Sequence, residues 1–105
     1  MKRQIFKSLH KTKKINNIIF AYEPVWSIGT GKIPKIKELS ENIIFIKKYI
    51  MKKYKIKYPK VLYGGSVTSE TISKLKKINI IDGFLVGGSS QNSKKFIDII
   101  KKTFI

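Results

Sequence analysis

The sequence predicts an α/β fold: three consecutive βα units preceded by the end of a helix. Short apolar runs at residues 18–22, 60–63 and 80–86 alternate with longer stretches whose apolar residues recur every three or four positions. That alternation means parallel strands joined by right-handed helical crossovers. Each run also ends in a special loop: Glu23-Pro24 after the first, Gly64-Gly65-Ser66 after the second and Gly87-Gly88-Ser89 after the third. Parallel strands put all three loops on one edge, where α/β folds carry out chemistry.

The elements follow in order. Residues 1–14 carry Ile5, Phe6 and Leu9 among lysines, which fits the last turns of an amphipathic helix with a cationic C-terminal end. His10 falls in its polar tail and reads as a surface residue. Asn16-Asn17 makes the turn into the first strand, whose five apolar residues read as buried on both faces. From Ile36, the spacing of Leu39, Ile43, Ile46, Ile50 and Tyr54 marks one face of a long helix. Glu38 and Glu41 lie in its first turns and Lys47, Lys48, Lys52 and Lys53 in its last, the order its dipole favours. Tyr58-Pro59 closes that unit, and residues 60–63 form the second strand. Thr68 is expected to cap a helix from Ser69 with Ile72 and Leu75 inward and Asn79 as a left-handed stop. Residues 80–86 read as the third strand. The last helix, from about Ser93, is expected to turn Phe96, Ile97, Ile100 and Phe104 inward.

Composition limits the function classes. A chain of 105 residues is one domain at most, and without cysteine it has no disulfide framework or thiolate metal site. One histidine cannot build a metal cluster, so neither a metal nor another cofactor is expected. No apolar stretch approaches the ~20 residues that span a bilayer, and the N-terminus lacks a signal-peptide core. A soluble, cytoplasmic protein with no membrane partner is the expectation. The net charge of +17 invites a nucleic-acid reading, yet only Arg3 among the 23 basic residues offers a guanidinium fork. The lysines are spread along the chain, which argues for a solvated basic surface with weak polyanion affinity and no specific nucleic-acid partner.

The decorated edge points to phosphate. Adjacent glycines after a strand let backbone N–H groups converge on an anion, and the following helix adds its positive end. Either pair alone serves equally as a tight turn; two pairs at equivalent places favour a phosphate nest. Glu23 reads as a general base, because Pro24-Val25-Trp26 is stiff and Ile28-Gly29-Thr30-Gly31 is mobile and apolar. Such a loop can fold over a ligand, expel water and raise the basicity of a carboxylate beneath it. A solvated carboxylate paired with a lysine is the alternative.

The segment Ala21-Tyr22-Glu23-Pro24-Val25-Trp26-Ser27-Ile28-Gly29-Thr30-Gly31-Lys32 resembles the catalytic-glutamate and lid segment of the triosephosphate isomerases. Tyr63-Gly64-Gly65-Ser66-Val67 and Gly83-Phe84-Leu85-Val86-Gly87-Gly88-Ser89-Ser90 resemble the last two strand-loop motifs of that family, in the same order and spacing. The resemblance implies a partial TIM (β/α)₈ barrel, units six to eight. It implies Glu23 as the base that interconverts dihydroxyacetone phosphate and glyceraldehyde 3-phosphate, with the amides of Gly29, Ser66, Gly87 and Gly88 on the substrate phosphate. Tyr63 and Ser66 would hydrogen-bond the closed lid, which includes Ile28, Thr30 and Gly31. Its hinges would be Pro24, Val25 and Trp26 at one end and Lys32 onward at the other. Ser27 and Ser89 stand where the family usually has alanine.

The family's electrophilic histidine, active-site lysine and nearby asparagine come from early strands, as does the interface loop of its homodimer, and none of those segments is in this sequence. Three strands cannot close a barrel. The resemblance therefore implies a separately supplied N-terminal barrel portion as partner. The alternative is a non-catalytic phosphate-binding or polyanion-binding remnant, or a decayed gene product.

Overall fold

A computed structural model describes residues 1–10 and 18–105. Helix α1 (Lys2–Leu9) precedes strand β1 (Ile19–Tyr22), and a 3-10 turn over Val25–Ser27 leads toward helix α2 (Ile36–Tyr54). Strand β2 (Lys60–Tyr63), the short helix α3 (Ile72–Leu75) and strand β3 (Gly83–Phe84) follow. A second 3-10 turn over Gly88–Gln91 then leads into helix α4 (Ser93–Phe104). The strands form one parallel sheet in the order β1-β2-β3. Tyr22 stands opposite Tyr63, and Tyr63 opposite Phe84, so the loops leaving all three strands emerge at the same end.

The sequence dictates α2 most directly. Its stripe of Leu39, Ile43, Ile46 and Ile50 is buried and packs with Val61 and Tyr63 of the central strand. Each such side chain contributes roughly 1.5–3 kcal/mol when fully buried. Acidic residues open the helix and lysines close it, and Lys55 ends it in the left-handed conformation at φ 56°. Val67, Ile72, Leu75, Ile78 and Ile99 extend the same core toward α3 and α4. Among the described residues, no helix is long and apolar enough to cross a membrane.

Asp82 ties three elements together. Its Oδ2 lies 2.8 Å from Lys47 Nζ on α2 and accepts the Val61 N–H of β2 at 2.8 Å. Burial works against the charge on this carboxyl, but the Lys47 ammonium and the Val61 N–H hold it below the usual carboxylate range.

Several expectations need correction. Strand β1 is not buried on both faces: Ile19 is 60 % exposed and Ala21 is exposed as well. Only the face carrying Phe20 and Tyr22 packs on the core, because the helices cover one side of the sheet. Strand β3 has two residues rather than seven. The Asp82 side chain takes the Val61 N–H that a strand carbonyl would otherwise accept, so ladder pairing starts only at Gly83.

Helix α3 starts at Ile72, not Ser69. Thr68 and Thr71 bond reciprocally, each accepting the other's N–H on its hydroxyl, and so hold residues 68–71 as a turn. Asn79 does not adopt the left-handed conformation, since Lys55 and Ser66 are the non-glycine residues that do. In α4 the inward residue is Ile99, 3 % exposed, whereas Phe96, Ile97, Ile100 and Phe104 all stay in contact with solvent. That helix leans on α3 along a narrow line and is tied there by Lys76 Nζ, which donates to the carbonyls of Lys102 and Ile105 at 2.7 Å each. The expected turn at Asn16-Asn17 lies outside the described residues.

Candidate active site

Where β1 ends, the Tyr22 carbonyl accepts the Gly64 N–H at 3.0 Å, which draws the first two loops together. The Glu23 side chain then lies against Gly64. A Cβ at position 64 would stand 2.7 Å from Glu23 Cγ and 2.8 Å from Glu23 Oε1, so only glycine leaves room for the carboxylate. Glu23 is exposed, not sealed beneath the loop that follows it. Glu23 continues the exposed face of Ile19 and Ala21, opposite the face of Phe20 and Tyr22 that packs on the core.

Residues 25–31 fold down onto the β2 loop. Gly31 N–H donates to Ser66 Oγ at 3.0 Å, and the Ser66 hydroxyl donates to the Ser27 carbonyl. Thr30 Oγ1 donates to that same carbonyl at 2.9 Å and accepts the Lys32 N–H at 3.1 Å, which shapes the far end of the loop. Gly29 and Gly31 take φ of 70° and 75°, a conformation that side-chain-bearing residues adopt only at a cost. Ser66 bears that cost, holding φ 52° with both of its hydroxyl bonds made to the loop above. Tyr63 is fully buried beneath. Burial raises its phenol pKa.

Between this loop and the β2 and β3 loops lies a cleft of about 370 Å³. Gly29, Ser66, Gly87 and Gly88, the four residues expected to hold phosphate, all line it, together with Ile28 and Gly31. Among the described residues the backbone amides of those four donate to no other group. The N-terminus of α4 opens onto the same cleft, with Asn92 Oδ1 accepting the Lys95 N–H at 3.1 Å, and the Asn92 and Lys95 side chains complete the wall.

Not every expected residue lines this cleft. Glu23, Pro24, Val25 and Trp26 line a neighbouring hollow of about 470 Å³ between α1 and β1. Glu23 adjoins the cleft only through Gly64, which lines it. Val25 and Trp26 point largely into solvent. Sequence reasoning gives no role to Ser27, which is wholly buried and bonded to Tyr63, nor to Asn92 and Lys95. Its place where the family usually has alanine marks Ser27, but nothing in the sequence gives its burial or its partners.

Parallel βα units whose glycine loops converge on one cleft, with a carboxylate beside it, define an α/β protein, an arrangement consistent with part of a (β/α) barrel. Residues 1–103 match the family model described as triosephosphate isomerase, and the chain belongs to that family. It is 44% identical over 89 residues to the triosephosphate isomerase of Dictyostelium discoideum, covering 82% of this chain and 35% of that protein. Over 101 residues it is 44% identical to the Mycoplasma mobile enzyme, covering 96% of this chain and 40% of that one. The Thermodesulfovibrio yellowstonii enzyme is 36% identical over 103 residues, covering 96% and 42%. The chain therefore spans about two fifths of the length of these curated relatives.

Proposed function

We propose that this chain is the part of a triosephosphate isomerase barrel that supplies the base, the lid and the phosphate site. In this reading the Glu23 carboxylate removes a proton from C1 of dihydroxyacetone phosphate and returns it at C2 while the C1 hydroxyl proton passes to the C2 oxygen, giving glyceraldehyde 3-phosphate with no other reactant. The amides of Gly29, Ser66, Gly87 and Gly88 hold the phosphate dianion, and residues 25–31 close over it. The observation that carries the reading is that those four residues, whose amides are uncommitted among the described residues, line one cleft, with Glu23 packed on the adjoining Gly64. Main-chain donors at a helix N-terminus suit a dianion and need no reorganisation when it arrives.

The substrate's carbonyl oxygen gains charge as the proton leaves C1. Loss of a single donor to such an oxygen costs ~10²–10³ in rate. That donor would come from a complementary barrel portion, which would also pair with the outer edges of β1 and β3. Isomerase assays of the chain, with and without the N-terminal portion of a relative, test both parts. Complemented activity is expected, and Glu23→Gln should lower it by roughly 10³-fold or more. An assembled but inactive complex, or a Glu23→Gln complex as active as the parent, would overturn the assignment.

A further inference from the structure

From residue 25 to residue 31 the loop buries one side chain, and that side chain is polar. Val25, Trp26 and Ile28 are 84, 55 and 50 % exposed, whereas Ser27 is 0 % exposed. An apolar loop docking by hydrophobic burial would show the reverse.

The placement of protons explains the inversion. The Ser27 hydroxyl has one proton, which it donates to the Lys32 carbonyl. The 3.2 Å contact with Tyr63 Oη must therefore be donated by the phenol. This makes a directed chain: Tyr63 O–H to Ser27 Oγ, then Ser27 O–H to Lys32 carbonyl. A second chain runs beside it, from Gly31 N–H to Ser66 Oγ and on to the Ser27 carbonyl. Aligned hydrogen bonds of this kind polarise and strengthen one another in a dry site. The floor of the β2 loop is shaped for them, since a Cβ at Gly65 would stand 2.5 Å from Tyr63 Oη and 2.8 Å from Ser27 Oγ.

Resting on the reading of residues 25–31 as a lid over a phosphate cleft, we propose that the Ser27 hydroxyl is the pin that sets its closed position. Ser27 is then a positioning residue: by docking on Tyr63 it presents the Gly29 amide, two residues on, to the cleft. Removing the hydroxyl strips Lys32 of a donor and leaves the buried Tyr63 phenol without its acceptor. Leaving a buried polar group unpaired shifts such an equilibrium by roughly tenfold or more toward the open lid.

The test uses the 105-residue chain and needs no catalysis. Amide hydrogen exchange at Gly31 reports the latch, exchange at Val61 in the central strand reports global unfolding, and acrylamide quenching of Trp26, the sole tryptophan, reports the lid surface. In Ser27→Ala, exchange at Gly31 should rise about tenfold, quenching of Trp26 should increase, and Val61 should be unchanged. Tyr63→Phe keeps the ring, removes only the donor, and should move the same readouts in the same direction; it decides the matter if Ser27→Ala does not fold. Wild-type exchange at Gly31 in the folded variants, or acceleration at Val61 equal to that at Gly31, overturns the pin. Inorganic phosphate should restore protection in the variants. If the latch loosens as expected and phosphate restores nothing, the pin stands and the phosphate reading of the cleft falls.

Discussion

Gly64 fixes where Glu23 can lie. The carboxylate rests in the space a side chain at that position would fill. Gly64→Ala should therefore push the Glu23 side chain aside while leaving the strand intact. The expected outcome is a stability change within about 1 kcal/mol and a loss of roughly 10² in the complemented isomerase assay; denaturant melts alongside kinetics separate the two. Glu23 and the paired glycines are legible in the sequence because a charge or a Gly-Gly step at the end of an apolar run interrupts a pattern. Ser27 is not, since a serine in a loop is unremarkable until its burial and its partners 36 and 39 residues away are seen. Lys95 is equally hidden: a lysine among 23 basic residues says nothing of which one faces a cleft.

Among the elements, legibility follows length. Helix α2 runs over the stretch its periodicity marks and buries four of the five residues of its stripe, with Tyr54 partly buried at its end. In α4 two apolar stripes compete, and only the position of α3 selects Ile99 over Phe96 or Ile100. Strand β3 is shortened by a side chain standing in for backbone, which no periodicity can reveal. The C-terminus of α2 carries a prediction of its own. Lys55 adopts a left-handed conformation normally filled by glycine. Lys55→Gly should raise stability by about 1 kcal/mol, because the penalty of a Cβ there is removed. Thermal or urea melts measure this, and a destabilised variant would show that the Lys55 side chain contributes more than its backbone costs.

Across the whole molecule, positive charge outweighs every other property visible in the sequence. A net +17 on 105 residues repels itself, while the ion pairs among the described residues are Lys47–Asp82 and Lys102–Asp98. Raising ionic strength screens the repulsion more than it weakens the partly buried Lys47–Asp82 pair. The melting temperature should therefore climb with salt, by roughly 4–8 °C if about 1 kcal/mol of repulsion is screened. A flat or falling profile would mean that the lysines are spaced widely enough to ignore one another.

The shared direction of the strands divides the molecule into two ends with separate duties. Every loop that touches the glycine cleft leaves a strand, while the turn entering β2 lies at the opposite pole. There Lys57 and Tyr58 project into solvent between the buried Ile56 and Pro59. Foreign sequence spliced between Lys57 and Tyr58 would lengthen a surface turn and leave the glycine cleft untouched. That junction is the natural attachment point for a fluorophore, an affinity handle or a tether.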